Sequence, residues 1–169
     1  MFPGRLPIRR ESAQQVLDGP RLTCRRLRFM LGEVGNPPFG YPRVSPYLLY
    51  EDAPRLIEYL ERAFGFQTRS AETGGAGRTH FELLYGDDGL VMVGQAGPGF
   101  SSPRTLGTYP ASLTHVYVEG VDALHERARA AGAEVTDLEL SSAGDRRFTA
   151  TDPEGQVWVF AERVGIPAE

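Results

Sequence analysis

From residue 44 onward the apolar side chains of this chain recur with two alternating periods. Tyr47-Leu48-Leu49-Tyr50 is a short apolar run and reads as a buried strand. Asp52 then stands ahead of Ala53-Pro54, a capping side chain followed by a proline suited to a first helical turn. Leu56, Ile57, Leu60, Ala63 and Phe64 share one helical face, Arg55, Glu58, Glu61 and Arg62 take the other, and Gly65 stops the helix. Strand-like pieces follow at about 66–72, 79–85 and 90–94. Gly86-Asp87-Asp88-Gly89 joins the last two as a hairpin signal.

The same order then returns. Residues 95–112 are rich in Gly, Pro and Ser and read as a linker or long loop. His115 to Val118 is a strand, and Asp122 can cap a helix that carries Leu124, Ala128 and Ala131 inward and ends at Gly132. Strands are expected near 133–139, 146–151 and 156–162, with the last hairpin turning through Asp152-Pro153-Glu154-Gly155. Leu56 and Leu124 occupy matching places 68 residues apart, and Gly89 and Gly155 matching places 66 apart. This is an internal repeat of two β-α-β-β-β modules. Each is too small to hide both faces of its strands, so the two must share a core, one face taking the helix and the other curling around a cavity. The domain reading is therefore an extension over 1–44, a first module over 45–94, a linker over 95–112, and a second module with its tail over 113–169.

Composition changes this picture only at the N-terminus. Residues 1–29 hold seven Arg against Glu11 and Asp18, whereas the whole chain of 169 residues has a net charge of -4 and no Lys. A basic arm that docks on a partner or anion is one reading of this stretch, with Leu22 to Val34 as a short basic helix. A loosely attached extension is the other, with residues 1–29 dispensable for folding and Met30 as an alternative start. An Arg-rich, acid-poor start also has the composition of an organellar transit peptide, but its Pro and Gly content argues against that. The overall charge gives no reason to seek nucleic acid, and no apolar run approaches the ~20 residues of a membrane span. The single Cys24 excludes an intramolecular disulfide framework, and a reducing, cytoplasmic setting is expected.

Four segments together carry a resemblance: YLLYEDAPRLIEYLERAFGF, THFELLYGDDGLVMVG, VYVEGVDALHERARAAGAEV and GDRRFTATDPEGQVWVF. In this order they resemble the glyoxalase / bleomycin-resistance / extradiol-dioxygenase superfamily, the vicinal oxygen chelate proteins, over about residues 45–163. The resemblance implies an α+β fold in which two βαβββ modules pair into a cup-shaped mixed sheet, often completed as a homodimer. Metal-dependent members, such as glyoxalase I, the fosfomycin-resistance thiol transferases and the extradiol dioxygenases, place His, Gln or Glu on the first and last strands of the modules. Counted from the turns, those places fall on Ser45, Val93, Leu113 and Val159. None of these is a usual ligand for a hard or borderline divalent ion, so no metal and no cofactor are expected.

One alternative metal set is open. His115 lies two residues beyond Leu113 on the same strand face. A four-residue turn over 86–89 pairs Glu82 with Val93, which turns His80 and Glu82 to the cavity as well. His80, Glu82 and His115 then form a non-standard set. The plainer reading is two polar residues at the cup rim and one hydrogen-bonded histidine. Arg146 is placed by parity with Phe148 on the cavity face, either meeting an anionic or carbonyl-bearing ligand or standing as a surface cation. His125 reads as a solvated helix residue, Asp87 and Asp152 as turn formers, and Trp158 as a core residue beneath the helices.

The leading functional reading is a metal-free cup that binds a small, aromatic organic molecule, as in the bleomycin-resistance branch, for sequestration or resistance. The expected ligand-binding residues are Tyr47, Leu49, His80, Glu82, His115, Tyr117, Arg146, Phe148 and Val159, with Leu84 and Leu113 beside them. Two alternatives stand beside it. One is a metal-dependent lyase, dioxygenase or thiol transferase built on His80, Glu82 and His115, or a lone His115 acid/base. The other is a dimeric interaction module whose cup is filled by its own side chains.

Overall fold

The computed structural model describes residues 36–165. The larger of the chain's two units begins at residue 42. The expected helix from Leu22 to Val34 lies outside the described residues. The larger unit runs β1 (Tyr47–Tyr50), α1 (Ala53–Phe64), β2 (Gln67–Thr73), β3 (Thr79–Tyr85), β4 (Gly89–Gln95), α2 (Pro103–Leu106), β5 (Leu113–Tyr117), α3 (Val121–Ala130), β6 (Glu134–Val135), β7 (Glu139–Leu140), β8 (Asp145–Thr151) and β9 (Val157–Arg163). Two open, mixed sheets result. One has the order β1-β4-β3-β2; the other has the order β5-β9-β8-β6, with β7 also on β8. Each module closes with its first strand parallel to its last, β1 on β4 and β5 on β9, so β1 and β5 are sheet edges. The architecture is the α+β repeat that the hydrophobic pattern predicts.

Helix α1 forms for local reasons. The Asp52 side chain accepts from the Arg55 amide at 3.3 Å, Pro54 sits in the first turn, and Gly65 ends the helix in the left-handed region at φ 85°. Its buried face is Leu56, Ile57, Tyr59, Leu60, Ala63 and Phe64. Helix α3 starts differently from the expectation. Its N-cap is Gly120, which has no capping side chain, and the Glu162 carboxylate on β9 accepts from Val121 N at 2.9 Å instead. Asp122 is free to pair elsewhere because a carboxylate from a distant strand already occupies the helix start.

The helix sides of both sheets share one core. Tyr50, Leu60, Phe64, Leu83 and Val93 from the first module and Phe148, Trp158 and Phe160 from the second are all but sealed from solvent. The Phe64 ring lies 6.0 Å from Trp158 and 4.9 Å from Phe160, so the two modules meet through aromatic packing. Each such side chain contributes about 1.5–3 kcal/mol on burial.

His125 belongs to this core rather than to a solvated flank. Helix α3 buries Val121, Leu124, His125 and Ala128, an i, i+3, i+4, i+7 stripe that takes in the histidine. Its Nε2 bonds the Thr136 carbonyl at 2.9 Å, and its ring meets the Phe148 ring edge-on at 4.9 Å. Polar neighbours in the sequence, Glu126 and Arg129, hide a position whose backbone faces inward.

Candidate functional site

Strand pairing decides which side chains face away from the helices. In the first sheet Tyr47 is in register with Met92, Leu49 and His80 with Gly94, Glu82 with Met92, and Leu84 with Leu90. These residues share the face opposite the core. Val93 does not: it pairs with Phe81 and is buried on the helix side. The hairpin explains this correction. Tyr85 pairs with Gly89 across a three-residue loop, not a four-residue turn, which shifts the register by one and puts Met92 where Val93 was expected.

In the second sheet Leu113, His115 and Tyr117 are in register with Val157, Val159 and Ala161, which face Thr151, Thr149 and Arg147 on β8. Val159 thus lies on the cup face, as a buried floor residue beneath the edge strand. Phe148 and Arg146 lie on the opposite side, and their expected place at the cavity is overturned. Phe148 pairs with Phe160 and is sealed in the core. Arg146 makes a forked pair with Asp122 on α3, Nε to Oδ2 at 2.8 Å and Nη2 to Oδ1 at 2.6 Å. That pairing holds the Asp122 carboxyl below its ordinary range. The residues that alternate with them, Arg147 and Thr149, are the ones on the cup face.

The polar groups of the two faces are held in separate clusters. On the first, the Tyr47 hydroxyl and His80 Nδ1 are 3.0 Å apart, and His80 Nε2 is 3.9 Å from Glu82 Oε1. On the second, the His115 and Tyr117 rings stand 5.0 Å apart, and the Tyr117 hydroxyl donates to Asp145 Oδ2 at 3.3 Å. Asp145 is also paired with Arg163 at 2.6 Å. His80 and Glu82 therefore share one sheet while His115 stands on the other. Among the described residues no three His, Cys, Asp or Glu side chains converge to hold a metal ion. With Met92, Leu113 and Val159 at the strand positions and Ser45 ahead of β1, the donor set of one chain does not fit a divalent ion.

Solvent exposure marks the same face. Tyr47 is 53% exposed, Leu49 41%, Leu113 50% and Tyr117 57%, although Leu48 and Tyr50 between and beside them are buried. The linker adds a wall that its composition did not announce. Pro103, Arg104, Tyr109 and Pro110 line a groove of about 320 Å³ together with Thr151 and Val157 of the second cup face. Gly94 and Met92 were missed as well. No local pattern marks them, because their role follows from which residues stand across from them.

On the helix side, Asp152 does more than hold its turn. Its Oδ1 accepts from the Glu154 and Gln156 amides at 3.0 Å each. Its Oδ2 accepts from the Tyr50 hydroxyl at 2.7 Å and from Trp158 Nε1 at 3.2 Å. Burial pushes the Asp152 carboxyl above its ordinary value against the pull of these donors, and burial likewise raises the Tyr50 phenol. This network joins the modules and leaves the cup face to other work.

The family model described as Glyoxalase/Bleomycin resistance protein/Dioxygenase superfamily matches residues 43–160. An uncharacterized protein of Mycobacterium bovis is 32% identical over 132 residues, covering 73% of this chain and 84% of that protein. An uncharacterized protein of Mycobacterium tuberculosis H37Rv is 32% identical over the same length, covering 75% of that protein. Among solved structures, TioX from Micromonospora sp. ML1 is similar at 28% identity and a TM-score of 0.57, covering 76% of this chain and 99% of that one. The fosfomycin resistance protein FosX from Listeria monocytogenes, complexed with Mn(II) and sulfate, shares the fold at 15% identity and a TM-score of 0.54, covering 70% and 87%.

Proposed function

This chain belongs to the Glyoxalase/Bleomycin resistance protein/Dioxygenase superfamily, and from that premise we propose that it binds a small, partly aromatic organic molecule without a metal ion, for sequestration or resistance. The observation that carries this reading is the exposure of Tyr47, Leu49, Leu113 and Tyr117 on faces whose reverse sides form a sealed core. Exposed apolar area of this kind marks a binding surface. Tyrosines suit a flat ligand because each offers a broad apolar ring with a polar tip. His115 supplies a hydrogen-bonding group beside them, Arg147 stands on the same face paired with Glu139 at 2.8 Å, and Val159 is the floor.

The same faces support completion of the cup by a second copy. All the inter-module contacts described above lie on the helix side. β1 and β5 end their sheets with the cup-face tyrosines still open to solvent. A homodimer in which the first face of one copy meets the second face of the other closes a cavity lined by both. No helix among the described residues is long and apolar enough to cross a membrane. The proposed setting is the cytoplasm.

A ligand screen by thermal shift, followed by calorimetry, tests this reading. Flat aromatic compounds bearing a carbonyl or hydroxyl should raise Tm and small aliphatic ones should not. Tyr117→Ala should weaken the best of them by about 1–3 kcal/mol, the range for losing a well-buried contact. Elemental analysis of the purified protein should find no stoichiometric divalent metal. One tightly held ion per chain, lost on His115→Ala, would sink the reading. A dimer that binds none of the compounds would favour an interaction module with a filled cup.

A further inference from the structure

The first cup face contains a hydrogen-bonded pair, Tyr47 and His80, with the Glu82 carboxylate beyond hydrogen-bond reach on the far side of the imidazole. Tyr47 and His80 lie on β1 and β3 with β4 running between them. The phenol nevertheless crosses β4, bringing its oxygen 3.0 Å from His80 Nδ1 with the rings stacked at 5.3 Å and 24°. Gly94 is what allows this. A Cβ there would stand 2.8 Å from both Cε1 and the hydroxyl oxygen of Tyr47, and 3.2 Å from Leu49 Cδ2, so any side chain would lift the ring away. On the far side of the imidazole, Nε2 lies 3.9 Å from Glu82 Oε1, and Arg69 Nε lies 3.7 Å from Oε2 of the same buried carboxylate. Among the described residues of that sheet, Glu72, in register with His80 on β2, is the remaining charged group on that face.

When Tyr47 donates to Nδ1, the proton of a neutral imidazole sits on Nε2, toward Glu82. The phenolic oxygen keeps an open lone pair, and the Tyr47 side chain is exposed. We propose that Tyr47, His80 and Glu82 form a proton relay that takes up a ligand bearing an acidic hydroxyl, a phenol or an enol, as its anion, with Gly94 as the positioning residue. This rests on the reading that the cup face binds a small molecule. The step balances without a further reactant. The ligand O–H bond breaks as a new O–H forms on Tyr47, while the original Tyr47 O–H breaks and an Nδ1–H forms on His80. The ligand is left as an oxyanion, and the imidazolium carries the matching positive charge beside Glu82. Because an imidazole is a weaker base than a phenolate, the relay favours ligand hydroxyls more acidic than an ordinary phenol, at about 10.

The test uses the full chain and p-nitrophenol, whose anion absorbs visible light, at a pH below its solution pKa. The wild type should bind the probe with the anion's absorbance. Tyr47→Phe, His80→Gln and Gly94→Ala should bind it with an anion-to-neutral ratio about tenfold lower or more, whereas Arg129→Gln on the outer face of α3 should match the wild type. An unchanged ratio in Tyr47→Phe overturns the relay and leaves ligand binding standing. Failure of the wild type to bind the probe at all overturns the acidic-hydroxyl ligand class. The geometry is tested without any ligand by carbethoxylation with diethyl pyrocarbonate, read at His80 by mass spectrometry. Losing the bond to Nδ1 should speed His80 modification about two- to tenfold in both Tyr47→Phe and Gly94→Ala. Equal rates in folded wild type and Gly94→Ala, with Tm held within a few degrees, overturn the role of Gly94.

Discussion

Glu154 and Arg127, both in the second module, grip opposite ends of helix α1 in the first. The Glu154 carboxylate accepts from the amides of Glu51 at 2.6 Å and Asp52 at 2.8 Å, just ahead of the helix. The Arg127 guanidinium donates to the carbonyls of Arg62 at 2.8 Å and Glu61 at 2.7 Å, at its end. An anion at the start and a cation at the finish both match the helix dipole. The modules are therefore fixed relative to each other by charge-assisted contacts to backbone as well as by the aromatic core.

Arg127→Ala should lower Tm by about 1–4 °C, because an exposed C-terminal cation contributes modestly and is screened by salt. The loss should shrink in high salt. Arg127→Lys should recover only part of it, since an ammonium does not reproduce the fork to two carbonyls. A thermal melt series at low and high ionic strength checks both statements, and an unchanged Tm would remove Arg127 from the inter-module clamp.

Asp152 gives a signed pH dependence. Burial raises its carboxyl above the ordinary 3.8, and burial raises Glu154 above 4.5. The folded chain thus binds these protons more readily than the unfolded one. Their contribution to stability is full below the unfolded values and is lost as pH rises through the raised ones. Between pH 4 and 7 the wild type should lose stability relative to Asp152→Asn, whose side chain does not titrate. Chemical denaturation across that range reads the difference. A gap that moves the other way would mean that the four donors to Asp152 outweigh its burial.

His125→Ala should destabilise the chain by about 2–4 kcal/mol. The variant leaves space against Phe148 and strips the Thr136 carbonyl of its bond. Urea unfolding measures the loss. A change within about 0.5 kcal/mol, as for an ordinary surface substitution, would mean that the ring is not packed as described.

Legible along the chain were the two-module repeat, helix α1 with its Asp52 and Gly65 boundaries, the succession of helix and strands in each module, and the inward side of Trp158. These features depend on period and capping, which act over a few residues and can be read along the chain. Tertiary structure decided what depends on register. A loop one residue shorter than expected turned Val93 into the core and brought Met92 to the face. The pairing of Phe148 with Phe160 sent Arg146 to Asp122 rather than to the cavity. His125 was claimed by a helix face whose width its neighbours conceal, and the reach of Tyr47 to His80 depends on the bare backbone of Gly94 on the strand that runs between them. The reason is that strand side chains alternate with period two, so a shift of one residue exchanges the faces completely. The hydrogen bonds that choose between the two registers join residues far apart in the chain.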